Sequence, residues 1–243
     1  MITKAQIQAI KALADKRARV EQGLFIAEGE KLISELRTSH LTVKKIYSTT
    51  PIWTDAEVIT EKEMERISQL KTSNNSLAVV QIPHYDLSNV EPAKRLVLAL
   101  DRVQNPGNVG TIIRLADWFG ITDIVCSEEC ADCFNPKVIQ ATMGAIIRVR
   151  VHYTNLPLWL DSLKKEGVNI YGTFLDGQNI YKTKKESCGV IVMGNEGQGI
   201  SKECEASVTH RLYIPPYPAD SCGSESLNVA IATAITCSEF RRE

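Results

Sequence analysis

Val190-Ile191-Val192-Met193 runs straight into Gly194-Asn195-Glu196-Gly197-Gln198-Gly199. A short β-branched apolar run reads as a buried strand, and three glycines in the next six residues call for a backbone that turns sharply and approaches something closely. Tyr213-Ile214-Pro215-Pro216 follows, then a polar loop of small residues, then Glu225-Ser226-Leu227-Asn228 opening an Ala/Ile-rich helix. Two loops of this kind within one αβ unit predict a ligand site built largely from main chain. The glycine loop is not a Walker loop, because no Lys-Ser/Thr follows it. Nor is it the dinucleotide fingerprint, which belongs at the first βα turn with a different spacing.

The stretch lies within a series of apolar runs at residues 96–100, 122–126, 146–149, 168–172, 190–193 and 211–214, most of them separated by amphipathic helical segments. That alternation predicts parallel βαβ units. Upstream, residues 24–27, 45–47, 57–59 and 77–82 read as strands and 29–36 and 61–69 as helices, a small α/β or α+β domain of its own. The chain opens on a helix from Lys4 with Ile7, Ile10, Leu13 and Ala14 on one face, followed by Lys16-Arg17-Ala18-Arg19, read as a compact basic turn. Pro83 and Pro92 bracket a mixed polar segment. The expected division is therefore a first domain at 1–83, a linker at 84–95 and an α/β domain at 96–243.

With 243 residues, 44% of them hydrophobic, the chain can bury a real core. A formal net charge of -1 excludes a generally basic nucleic-acid binder, so any phosphate contact must come from a local surface. Lys11, Lys16, Arg17 and Arg19 form such a corner; the alternative is an ordinary solvated helix face and turn. The amino terminus lacks the apolar core of a signal peptide and no apolar run could span a bilayer, which predicts a cytoplasmic protein. Seven scattered cysteines fit reduced thiols. Cys126, Cys130 and Cys133 cluster, but no fourth ligand stands at a matching distance, so no metal is expected.

Most of the chemistry follows the strand at 96–100, in Asp101-Arg102-Val103-Gln104-Asn105-Pro106-Gly107-Asn108-Val109-Gly110 leading to Arg114. Asn105-Pro106-Gly107 reads as a turn, Asn108 as the cap of a helix, and Gly120 as its end. Ile112, Ile113, Ala116 and Phe119 then face the sheet, and Gly110 leaves space beside the Arg114 guanidinium. Arg114 is either a functional cation or the partner of a neighbouring carboxylate. Glu196 is either an acid or a tie from its loop to backbone amides.

Taken together, the segments 105–114, 193–199 and Ile214-Pro215 with 225–228 resemble the SpoU/TrmH family of RNA 2'-O-ribose methyltransferases, within the SPOUT superfamily. The resemblance covers roughly residues 96–242, and extends more loosely to Gly23-Leu24-Phe25-Ile26-Ala27-Glu28-Gly29, similar to the start of a ribosomal-protein-like substrate-binding domain. It implies a parallel sheet whose carboxyl-terminal segment threads a trefoil knot, and S-adenosylmethionine (AdoMet) as cofactor. Carried over by position, the cofactor residues are Thr173, Leu175, Gly194, Glu196, Gly199, Ile214 and Leu227. The catalytic set is Arg114, Asn108, Glu196, Ser226 and Asn228, with Ser226 also expected to cap the last helix. Structured RNA, tRNA or rRNA, is the implied substrate, with Lys11, Lys16, Arg17, Arg19 and Arg114 as its contacts. A homodimer is implied through Ala230, Ile231, Ala234 and Ile235 of the last helix. The loop at residues 216–224 is longer than the family's usual turn.

A ribose 2'-hydroxyl is a poor nucleophile until its proton is weakened, so such an enzyme must supply orientation and charge. Arg114 suits both needs by gripping a phosphate and stabilising an alkoxide. The family proposal makes it the general base, which sits awkwardly with a guanidinium pKa above about 12. Two other readings remain open at this point: a non-catalytic RNA-binding or ribosome-assembly factor of the same fold, and a small-molecule α/β enzyme.

Overall fold

In the computed structural model of the chain, residues 2–218 and 226–242 are described, and they form two compact units. The first unit takes Met1–His84 and Asp132–Ile147, and the second Tyr85–Ala131 and Arg148–Glu243. From the amino terminus the elements are α1 (Lys4–Ala12), α2 (Lys16–Gln22), β1 (Leu24–Glu28), α3 (Glu30–Arg37), β2 (Val43–Ser48), β3 (Ala56–Val58), α4 (Glu61–Ile67) and β4 (Ser76–Gln81). Then come β5 (Leu96–Leu100), α5 (Pro106–Trp118), β6 (Asp123–Ser127), α6 (Pro136–Thr142), β7 (Arg150–Thr154), α7 (Leu156–Lys165), β8 (Ile170–Asn179), β9 (Gly189–Met193), α8 (Lys202–Glu205), β10 (His210–Tyr213) and α9 (Val229–Phe240). No helix among the described residues is long and apolar enough to cross a membrane.

The first unit holds a four-stranded sheet in the order β1-β4-β2-β3, parallel only between β2 and β3. Residues 16–19 are not a turn but the start of α2. Asp15 accepts hydrogen bonds from the Arg17 and Ala18 amides, and Gly23 closes the helix at φ 63°, so a run of good helix formers is capped at both ends. Arg19 points inward and is only 1% exposed. Its Nη1 donates to the Leu13 and Ala14 carbonyls at 2.8 Å each, and its Nη2 pairs with Asp132 at 2.5 Å. Asp132 belongs to a segment that the sequence places in the second domain; here it joins α6 in the first unit, with Phe134 against Phe25 at 4.9 Å between centroids.

The second unit is built on six parallel strands in the order β10-β8-β9-β5-β6-β7. Strands β5, β6 and β9 are buried at every position, as strands covered on both faces must be. Residues 84–95 are not a free linker: Leu87–Asn89 makes a 3-10 turn and Val90 joins the core formed by Val97, Val125, Leu160 and Val192. The apolar run at 146–149 is not a strand either. Ala145–Ile147 is a buried 3-10 turn, and pairing with β6 begins only at Arg150 opposite Asp123. A short apolar run records burial, not pairing. Buried Asp123 accepts from Arg150 at 2.6 and 2.8 Å and from Thr122 at 2.8 Å, and lies 3.1 Å from His152 Nε2. Burial alone would raise its carboxyl, but these hydrogen bonds outweigh burial and hold it far below the usual carboxylate range.

From β5 the sheet grows one way through β6 and β7, and the chain then returns to the other side through β8, β9 and β10. The direction reverses between β5 and β9. In parallel α/β sheets ligands bind beyond the carboxyl ends of the strands at such a point.

Candidate active site

The loops after β5 and β9 meet at that reversal. Arg102, two residues after β5, holds a left-handed backbone at φ 56°, and its carbonyl accepts from Asn195 Nδ2 at 2.8 Å. At the far end of the glycine loop, buried Asp101 accepts from the Ser201 amide at 2.6 Å. The loop closes on itself through paired bonds between Asn195 and Gly199, both 2.9 Å, while Asn195 Oδ1 accepts from the Gly197 and Gln198 amides at 2.9 and 3.1 Å. Gly194 is obligatory: a β-carbon there would lie 2.3 Å from the Gly199 carbonyl carbon and the Ile200 nitrogen.

The cap of α5 is Asn105, not Asn108. Asn105 Oδ1 accepts from the Gly107 and Asn108 amides at 2.8 and 3.2 Å, and Pro106 takes the first helical position, where no amide is needed. Asn108 is thereby freed for another task. Its Nδ2 donates to Glu196 Oε1 at 2.8 Å, and its Oδ1 accepts from Asn228 Nδ2 at 3.1 Å. Asn228 in turn caps α9 through the Ala230 and Ile231 amides, so Ser226, which is exposed, is not the cap. Glu196 ties its loop to a side chain, leaving the backbone amides to Asn195.

Glu196, Asn108 and Asn228 thus form one hydrogen-bonded chain joining three distant parts of the sequence. Arg114 is not part of it. Six residues beyond Asn108, roughly 9 Å along the helix axis, Arg114 is exposed and makes no hydrogen bond or ion pair with the described residues. Among the described residues, then, no carboxylate pairs with Arg114. Trp118, one turn further, is 83% exposed.

Thr173 follows the first paired part of β8, Gly194 follows β9 and Ile214 follows β10, so the expected cofactor positions lie along the carboxyl edge of neighbouring strands. Thr173 Oγ1 donates to the Val192 carbonyl at 3.5 Å. Leu175 and Leu227 are apolar side chains left 69% and 48% exposed. Gly199 takes a positive φ of 69° with open space beside it. Glu225 and residues 219–224 of the long loop lie outside the described residues. Of the thiols, Cys130 Sγ accepts from the Val103 amide at 3.3 Å and so ties the loops after β5 and β6 together.

Asn195, Asp101 and Arg102 were missed in the sequence reading. An asparagine opening a glycine loop is a signal for a side chain that caps its own turn, and would have marked Asn195. Nothing in the local pattern marks Asp101, whose partner lies 100 residues away.

Residues 95–238 match the SpoU rRNA Methylase family, and residues 4–78 match the MRM3-like substrate binding domain. The chain belongs to the SpoU rRNA methylase family. It is 35% identical over 241 residues to the 23S rRNA (guanosine(2553)-2'-O)-methyltransferase RlmP of Bacillus subtilis, covering 95% of this chain and 94% of that one. Among solved structures it is similar to a TrmH-family protein from Porphyromonas gingivalis, with 39% identity, TM-score 0.88 and coverage of 100% and 99%. An AdoMet-bound rRNA methyltransferase from Sinorhizobium meliloti is also similar, with 28% identity, TM-score 0.88 and coverage of 100% and 96%.

Proposed function

We propose that this protein transfers a methyl group from AdoMet to a ribose 2'-hydroxyl of RNA. The observation that carries the reading is the Glu196, Asn108, Asn228 chain at the strand-order reversal, whose Asn108 shares helix α5 with Arg114, a cation that pairs with none of the described residues. The residues fit the cofactor: Leu175 and Leu227 offer exposed apolar surface, and the tightly turned loop after Gly194 offers main chain at the same sheet edge. Bound AdoMet would supply an activated methyl group on a sulfonium. The chain itself supplies orientation and charge. Arg114 holds a phosphate beside the target ribose and stabilises the developing alkoxide, while Asn108 fixes the glycine loop against the start of α9. Ribosomal RNA is the proposed substrate, following the full-length relative that acts on 23S rRNA.

The first unit would select RNA, through exposed Lys11, Lys16 and Arg17 but not Arg19. Further parts of the proposal are a cytoplasmic setting, a knotted carboxyl-terminal segment, and a homodimer covering Trp118 and Ile231, which is 53% exposed. Ala230 drops out of that surface because it is buried within its own unit.

Arg114→Ala tests the reading, with methyl transfer from labelled AdoMet to RNA isolated from a strain lacking the gene, alongside AdoMet titration by calorimetry. The expected result is loss of transfer by at least about a hundredfold with AdoMet affinity unchanged. Turnover within a few-fold of wild type would leave a binding factor of this fold as the better reading.

A further inference from the structure

Strand β8 pairs with β10 in an irregular way. His210 and Arg211 lie opposite Tyr171 and Gly172, but the next two residues, Leu212 and Tyr213, lie opposite Gln178 and Asn179. Residues 173–177 are therefore looped out of the sheet between two consecutive residues of β10. The excursion leaves at Gly172, where a β-carbon would lie 2.6 Å from the Phe174 ring, and returns at Gly177, where one would lie 2.6 Å from the Leu212 carbonyl carbon. Phe174 packs against the core beneath, and Leu175 stands exposed beside it.

Arg211, at the register break, reaches back over this excursion. Its guanidinium carbon lies 3.7 Å from the Phe174 ring centroid, its Nη2 donates to Asp176 Oδ1 at 2.5 Å, and its Nη1 donates to Glu205 at the end of α8. One planar cation is thus stacked on the residue before Leu175, bonded to the residue after it, and anchored to a helix outside the excursion. Lysine could not do this, since it has neither the flat face nor the fork.

We infer that Arg211 is a positioning residue for cofactor binding: it holds the excursion from Thr173 to Gly177 in its binding shape before AdoMet arrives. The inference rests on the reading that Thr173 and Leu175 wall the AdoMet site. A five-residue excursion left untethered would have to be ordered at the moment of binding, and affinity would carry that cost. Neither Arg211 nor Asp176 need touch the cofactor for this to hold.

The test compares Arg211→Gln, Arg211→Lys, Thr173→Ala and Leu175→Ala in the full chain, by AdoMet calorimetry, thermal melting and methyl transfer to RNA from a strain lacking the gene. Arg211→Gln should raise Kd and KM for AdoMet about tenfold, with kcat at saturating AdoMet and KM for RNA within about twofold of wild type and melting nearly unchanged. Arg211→Lys should recover only part of the loss. If Leu175→Ala weakens AdoMet while Arg211→Gln does not, the clamp is refuted and the wall stands. If neither Thr173→Ala, Leu175→Ala nor Arg211→Gln changes AdoMet affinity, the wall itself is misassigned and the inference falls with it. A fall in kcat and a rise in KM for RNA with Arg211→Gln, at unchanged AdoMet affinity, would also overturn it.

Discussion

Gly194→Ala tests how the glycine loop is built. The added β-carbon would lie 2.3 Å from both the Gly199 carbonyl carbon and the Ile200 nitrogen, and 2.6 Å from the Gly199 oxygen. All three are main-chain atoms, so no rotamer change relieves the overlap, and the loop must move by about 1 Å to restore contact distances. Overpacking of this kind costs about 1–3 kcal/mol. The same movement strains the paired Asn195 and Gly199 bonds at 2.9 Å, worth about 1 kcal/mol each. A total of roughly 3 kcal/mol corresponds to a fall in melting temperature of about 10 °C, and the displaced loop should bind AdoMet at least about tenfold more weakly. Two neighbouring glycines serve as controls. Gly199→Ala meets nothing but keeps a φ of 69°, which costs about 1 kcal/mol. Gly197→Ala, whose nearest neighbour is Asn195 Oδ1 at 3.8 Å, should be almost silent. Thermal melting and AdoMet calorimetry read all three. If Gly194→Ala melted and bound AdoMet like wild type, or no worse than Gly197→Ala, the loop would not be closed as described.

Arg19→Ala should act on stability, costing about 3–5 kcal/mol because Asp132 is left without its cation, whereas exposed Arg17→Glu should weaken RNA binding in filter assays and leave melting unchanged. Loss of RNA affinity from Arg19→Ala in a protein that still melts normally would contradict this. Asp123→Asn should cost about 3 kcal/mol at neutral pH. Because the native carboxyl is depressed, the stability it contributes is complete above the unfolded pKa of about 3.9 and is lost as pH falls towards the native value. Denaturant melts of wild type and variant should therefore converge below about pH 4, and a constant gap down to lower pH would refute the assignment. If the proposed homodimer forms through this face, wild type should have a dimer mass by light scattering at micromolar concentration and Trp118→Glu a monomer mass; a monomeric wild type would refute the dimer, and a dimeric variant would place the interface elsewhere.

Regular elements with long periodic patterns were legible in the sequence. Residues 96–100 were read as a strand and are β5, and the parallel sheet follows from apolar runs buried on both faces. Most of what was not legible depends on partners distant in the chain. In Lys16-Arg17-Ala18-Arg19 the helix itself is signalled locally by Asp15 and Gly23, but nothing local shows that Asp132 will bury Arg19. Asn108 looked like a cap because Asn105 and Asn108 are equally good caps locally, and only Glu196 and Asn228 decide between them. The run at 146–149 had the apolarity of a strand without a ladder to join. Arg211 carried no signal at all, since its role depends on a break in strand register that no periodicity encodes.

The division of the chain between the units bears on synthesis. The first unit is interrupted: it pauses after His84 and resumes only with Asp132–Ile147. Growing from its amino terminus, the chain therefore makes the early sheet with Phe25 unstacked and the Arg19 cation lacking its carboxylate, and must next produce β5, α5 and β6 of the other unit. At about 5–20 residues per second, the missing α6 segment arrives several seconds later. The amino-terminal unit is thus first made but not first finished, and a nascent chain stalled anywhere in residues 85–131 would present an incomplete fold to chaperones and proteases.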